Sequence, residues 1–250
     1  MNNAVRVRQR VLAVFLPVTA VLYISAEALD PKGTDQVVTT TAAAFKVVPI
    51  AAGHSAQLYL AGSLSVLALG GLAVSYAAIA LLVTGRGWVI ATVGALLGGL
   101  GAFAGALVNV LVGVNLAVAA SAHLTQGAAG RFLVTSFHSV PAQAAEYVYF
   151  VFEYAAPVVM GFALWRSRAV PRWLAVLFTV GLEVAEGMGS YGPIVVLFML
   201  PFAVAMFLLA ARIWQAAARP PAPVTGTAPT PPAAAPPDPA ATPLRTGPGS

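Results

Sequence analysis

Trp88–Leu116 reads WVIATVGALLGGLGAFAGALVNVLVGVNL and lies inside a run of 44 residues, Gly87 to Gly130, that carries no formal charge. A bilayer core takes about 20 apolar helical residues to cross, so the run is long enough for two crossings. The choice between one and two fixes the sidedness of everything after it. No turn signal divides the run. Two crossings would carry Arg166, Arg168 and Arg172 to the side opposite Arg6, Arg8 and Arg10, against the tendency of basic residues to stay in the cytoplasm. One long helix, projecting outward past the bilayer, keeps the arginines together. Gly94, Gly98, Gly101 and Gly105 recur along it at three- and four-residue spacings, a face on which helix backbones approach closely. A glycine-lined substrate passage is the alternative reading of that face.

The composition agrees with a membrane chain. Of 250 residues, 59% are hydrophobic and 8% charged, against about 25% charged in soluble domains. That is too little polar surface to cover a water-soluble globule. The net charge of +5 comes from basic residues beside apolar runs, which is an orientation signal. No basic–aromatic stripe points to nucleic acid. Cysteine is absent, which excludes disulfides, Cys-ligated metal and a thiol nucleophile.

Six spans are expected, approximately Val11–Ala28, Leu58–Val83, Trp88–Leu116, Tyr147–Trp165, Trp173–Met188 and Ile194–Trp214. The fifth has the shortest apolar run because Glu183 and Glu186 interrupt it. The segments 30–53 and 123–143 are partly apolar and read as short surface or interfacial helices. With six spans, Arg6, Arg8, Arg10, Arg86, Arg166, Arg168, Arg172, Arg212, Arg219 and Arg245 share one side, and only Lys32, Lys46 and Arg131 fall on the other. The fold expected is therefore all-α: a polytopic bundle of six transmembrane helices with both termini cytoplasmic. Residues 1–10 form a basic cytoplasmic N-terminus, 11–214 the six-span domain, and 215–250 a Pro/Ala-rich cytoplasmic tail too poor in apolar pattern to bury a core, hence disordered. All four tryptophans, Trp88, Trp165, Trp173 and Trp214, lie beside the arginines as an interfacial belt. The first span also resembles a signal peptide, with VRVRQR before an apolar run and Ala26-Glu27-Ala28 after it; a multi-span chain keeps such a helix as an anchor.

The acids fall in the other half. At 1.5 Å of rise per residue, Glu153 lies roughly 20 Å from the arginine end of its helix, Glu183 roughly 15 Å from Trp173, and Glu186 roughly 20 Å. Glu27 and Glu146 lie nearer the outer interface, together with Asn109, Asn115, most tyrosines and all three histidines, His54, His123 and His138. An ionised side chain facing lipid costs at least about 2.5–3.5 kcal/mol. Glu183 and Glu186, at i and i+3, share a face that should turn into the bundle or a wet pocket. Pro157 removes the helical donor for the carbonyl of Glu153 and should bend that helix. The candidate ligand-binding set is thus Glu153, Glu183, Glu186, Glu27, Glu146 and Asn109. The plainer reading is that these carboxyls hydrogen-bond helices together. The histidines are candidate metal ligands from different helices, or ordinary interface residues, since 54, 123 and 138 show no local ligand spacing. A haem held by His54 with His123 or His138 is the weaker variant. No phosphate-binding glycine loop or nucleophile elbow is present, and no cofactor follows.

GFALWRSRAVPRWLAVLF, Gly161–Phe178, resembles a group of uncharacterised actinobacterial-type multi-pass membrane proteins that share a Leu-Trp-Arg-Ser, then Val-Pro-Arg-Trp, loop between two spans. His54 ahead of a long Gly/Leu-rich span is similar too. The resemblance implies a bacterial cytoplasmic membrane and no established activity. Physically, the loop's arginines suit anionic headgroups and its tryptophans anchor.

Three function classes stay open. The leading one is binding or transport of a cation, proton or small polar ligand through an outward-facing Glu-lined pocket. The second is an outer-leaflet membrane enzyme with a His/Glu site, which the absence of a compact ligand motif disfavours. The third is a non-catalytic membrane interaction protein. The expected partners are the lipid bilayer and a cation, proton or small polar ligand.

Overall fold

The computed structural model describes residues 3–31, 40–121, 124–187 and 194–218, without the side chains of Asn3, Thr41, Ser121 and Glu186. Within them the chain is all helix: α1 Asn3–Leu29, α2 Thr41–Gly53, α3 Ser55–Ala80, α4 Trp88–Ser121, α5 Gln126–Phe137, α6 Val140–Ser167, α7 Arg172–Gly187 and α8 Val195–Ala218. Five of these, α1, α3, α4, α6 and α8, are long and apolar enough to cross a membrane. Helices suit that environment because they satisfy their own backbone polar groups where no water can.

Six helices form a closed ring in which α1 packs on α3, α3 on α4, α4 on α6, α6 on α7, α7 on α8, and α8 back on α1. The sixth member, α7, has 16 residues, about 24 Å, and falls short of the length that the other five reach. The fifth expected span is this helix, which packs in the ring but is not among the five long enough to cross a membrane.

Most of the charge-free run, Trp88–Ser121, is one unbroken helix. α4 has 34 residues, about 51 Å, against a hydrocarbon core of about 30 Å. Its far end carries a second, smaller core. Ala44, Val47 and Ala51 of α2 meet Ala129, Leu133 and Phe137 of α5 against Leu116 and Ala119. The two short helices expected between the spans are these, and they pack on the projecting end of α4. Thr40 and Thr125 start them as N-caps, accepting from the amides of Ala43 and Ala128.

The main core runs along the ring axis through Leu16, Leu69, Tyr76, Met160, Phe178 and Phe202. Outside it, Phe15, Leu96, Leu100, Phe103, Val158, Phe162 and Phe207 are exposed. A soluble monomer does not carry so much contiguous apolar surface; a lipid-facing bundle must.

Glycines set the tight crossings. A Cβ on Gly94 would stand 3.1 Å from the Met160 nitrogen, and one on Gly101 3.0 Å from the Glu153 nitrogen. Met160 and Glu153 are seven residues apart, as are Gly94 and Gly101, so one antiparallel seam joins α4 to α6. Gly98 and Gly105 instead seat the rings of Tyr76 and Tyr149. All four glycines of the sequence pattern are thus packing positions. Thr19 fills the space over Gly71 and lies 3.3 Å from Ser75, joining α1 to α3.

The two termini of the ring meet at one end, where the Arg10 guanidinium lies 5.5 Å from the Trp214 ring centroid. The α3–α4 turn reaches the same end as the last turn of α6, since a Cβ on Gly87 would meet the Ala163 carbonyl at 3.3 Å. Two boundaries differ from the sequence reading. α1 begins at Asn3, so Arg6, Arg8 and Arg10 are helical and do not precede the helix. α8 runs to Ala218 with Ala217 fully buried, because Gln and Ala are good helix formers and the stop comes only before Pro220. The rest of the expected tail, from Arg219, lies outside the described residues.

Replacing Gly94 or Gly101 by Val should cost about 1–3 kcal/mol each through overpacking. Gly99→Val, which meets open space, should cost far less. Thermal unfolding of the three variants in detergent measures the difference.

Candidate functional site

The end of the ring opposite Arg10 and Trp214 holds an open cavity of about 710 Å³. Its wall carries Glu27 and Asp30 from the end of α1, Asn109 from α4 and Glu146 from α6, with Tyr23, Tyr59 and Tyr149 between them. Serines 55, 63 and 65 of α3 add hydroxyls, and apolar side chains of α3 and α4, with Ala185 of α7, complete the lining. The helices put these groups together by direction of travel. α1 ends here, α6 begins here, and α4 passes through on its way to the small outer core. Gln57 donates to the Leu29 carbonyl and ties the start of α3 to the end of α1. Asn109 donates back to the Gly105 carbonyl at 3.0 Å, which leaves its amide oxygen as an acceptor.

Three of the six candidate ligand residues, Glu27, Glu146 and Asn109, line this cavity. Of the other three, Glu153 and Glu183 do not. Glu153 is buried, at 3% exposure, one turn past Tyr149 on α6. Glu183 is half-buried on α7, two residues before Ala185. The side chain of Glu186 lies outside the described atoms. Register relates Glu153 to Glu183. Thr179 donates to the Pro157 carbonyl at 3.2 Å across the α6–α7 contact, and Gly161 leaves room for that hydroxyl. α6 and α7 run antiparallel, so one turn outward from this bond comes to Glu153 on one helix and Glu183 on the other. The two carboxyls stand at one depth, just below the cavity wall. α6 continues as one helix through Pro157, with Thr179 placed beside the carbonyl of the proline.

Beneath the acids the axis closes. Tyr76 meets Phe178 edge-on at 6.1 Å and Tyr23 meets Phe202 at 5.9 Å; edge-to-face pairs of this kind are favourable packing. Tyr76, Met160, Phe178 and Phe202 are all buried. The cavity is a vestibule with a packed apolar floor.

The histidines go elsewhere. His54 and His138 are exposed C-cap residues of α2 and α5, and each ring Nδ1 lies near a carbonyl one turn back, Ile50 at 3.1 Å and Val134 at 2.8 Å. His123 lies outside the described residues. Among the described residues no three His, Asp or Glu side chains are grouped to hold a metal.

The sequence reading missed Tyr23, Asp30, Tyr59, Tyr149 and the α3 serines as members of the site. Their depth was readable, since they fall on the acid side of the arginine–acid division. Their facing was not, because α3 is apolar all round and its amphipathic direction is negligible.

The chain has no cysteine, so single cysteines can be labelled without background. Asn109→Cys and Glu146→Cys should react with a membrane-impermeant maleimide in intact membranes. Ala156→Cys, whose position is fully buried, should react only after unfolding.

Comparison with protein-family models, curated proteins and solved structures finds no match to this chain.

Proposed function

We propose that this is a six-span protein of a bacterial cytoplasmic membrane, with both termini in the cytoplasm, that binds a small cationic or polar ligand in its outward vestibule. The carrying observation is the cavity wall, which holds Glu27 and Asp30 from the end of α1 and Glu146 from α6 among tyrosines and serines. Carboxylates in a concave, partly apolar site favour a positive ligand, and the field in such a cleft concentrates it. Tyrosine faces add cation–π attraction for an organic amine. A volume of about 710 Å³ suits a small molecule better than a bare metal ion. The packed floor favours binding over an open pore. For transport, Glu153 and Glu183 are the next groups inward.

The orientation rests on the arginines. Arg6, Arg8, Arg10, Arg86, Arg166, Arg168, Arg172 and Arg212 belong to the end where the ring's termini meet, and basic loops stay cytoplasmic. α7 is counted as the fifth span because it runs from Trp173 at that end to Ala185 on the vestibule wall. The likeness to actinobacterial-type multi-pass proteins agrees with this location.

Reporter fusions after Arg86, after Arg168 and after Ala218 should all report cytoplasm, and a fusion at Lys46 or Arg131 the outside. An outside signal from the Arg168 fusion inverts the vestibule, and opposite signals from the Arg168 and Ala218 fusions remove α7 as a span.

Binding is testable by thermal unfolding of purified protein against potassium, calcium, choline and spermidine. A ligand at a hundred times its Kd stabilises by about 2.7 kcal/mol. Glu27→Gln and Glu146→Gln keep shape and hydrogen bonding but remove charge, so each should fold and lose most of that stabilisation. Equal curves for wild type and both variants with every cation would remove the vestibule as a cation site.

A further inference from the structure

The opposite end of the ring holds a second concavity, of about 520 Å³, and its wall is Arg86, Arg166, Ser167 and Arg168. These residues come from two separate turns, α3–α4 and α6–α7. The turns approach closely, since a Cβ on Gly87, at φ +103°, would stand 3.3 Å from the Ala163 carbonyl and 3.7 Å from the Ser167 Cβ. Three arginines therefore line one small space, and all three are exposed. Neither turn contains an acid. The neighbouring Arg172 is engaged elsewhere, with its guanidinium 5.1 Å from the Trp165 ring centroid.

The backbone singles out one of the three. Arg168 has φ 56° and ψ 22° and is the non-glycine residue with positive φ among the described residues. It occupies the helix C-terminal position where left-handed geometry makes glycine the usual occupant. Ser167 closes the turn around it, donating to the Leu164 carbonyl at 3.1 Å and accepting from the Ala169 amide at 3.2 Å. A bulky, branched-off cation is kept where the fold prefers no side chain. Left-handed non-glycine positions are uncommon and cluster at functional sites.

We infer that this concavity is a phosphate site, and that its ligand is the phosphodiester headgroup of an anionic lipid. Guanidinium forks match phosphate oxygens in geometry as well as charge. The source follows from depth. Trp88 adjoins one turn, while Trp165 and Trp173 flank the other, and all are exposed at the level where tryptophan marks the headgroup region. Basic pockets between spans on this side of a membrane suit anionic headgroups. Bound there, the headgroup would bridge the two turns and clamp α4 to α6 at the end away from the vestibule. The site is independent of the vestibule and of what binds there.

The test uses full-length protein, delipidated in a neutral detergent. Its thermal midpoint is measured with phosphatidylglycerol or cardiolipin, with phosphatidylcholine of the same chains, and with inorganic phosphate; native mass spectrometry counts retained lipid. Wild type should gain about 5 °C with the anionic lipids and little with phosphatidylcholine. Arg168→Gly should fold readily, because glycine relaxes the turn, yet lose most of that gain and the retained lipid. Arg86→Gln combined with Arg166→Gln should lose it as well, while Arg212→Gln, which removes one charge elsewhere at the same end, should keep it. A wild-type gain from inorganic phosphate alone would keep the phosphate site and overturn the lipid as its source. A full anionic-lipid gain in Arg168→Gly would overturn the site.

Discussion

The architecture hangs on the seam between α4 and α6. Lipid offers helices no hydrophobic reason to associate, since chain and solvent are equally apolar. Close backbone approach and dispersion contact must supply the attraction. Gly94 and Gly101 allow it by leaving the backbone of Met160 and Glu153 in direct contact with α4. With those two points fixed, Glu153 is held at one depth, Tyr149 falls against Gly105, and Tyr76 falls against Gly98. The floor and one wall of the vestibule are consequences of the seam. On the other side of α6, Gly161 performs the same service for Thr179, and Gly181 of α7 meets the backbone of Pro201 and Phe202 on α8. The ring is closed by repeated use of one device.

Charge is sorted along the ring axis. The tryptophans and most arginines occupy one end, most carboxyls the other together with Lys46 and Arg131, and aromatic and aliphatic side chains fill most of the space between. Each end thereby acquires a concavity of its own sign. The sorting lowers cost, because an unpaired ion in the middle of the bundle has neither water nor a counterion nearby.

Much of this was legible in the sequence, and the reasons differ by element. The length of α4 followed from an uninterrupted run without charge. The packing role of its glycines followed from spacing. α2 and α5 showed as short apolar stretches too brief to span. The axial sorting followed from rise per residue alone. What could not be read was lateral. A lipid-exposed helix is apolar on every face, so hydrophobic periodicity does not say which side turns inward. Glu153 was expected on a pocket wall and lies buried beside it; Glu27 and Glu146, expected nearer the interface, are the ones that line the cavity. Arg168 gave no warning of its left-handed backbone, because an arginine in a basic loop looks like any other.

The division of the apolar interior into two clusters has a consequence for cooperativity. Among the described residues the ring core contains thirty-one buried side chains and the outer cluster eight, with α4 contributing to both. A unit so small has little free energy of its own with which to resist opening. The helices α2 and α5 can therefore part from α4 as a local event, with amide protons exchanging there while those of the ring stay protected. Ala51 and Leu116 belong to this smaller cluster and also to the vestibule wall. Part of the vestibule wall thus belongs to the smaller cluster, so local opening of α2 and α5 would reach the vestibule before it reached the ring core.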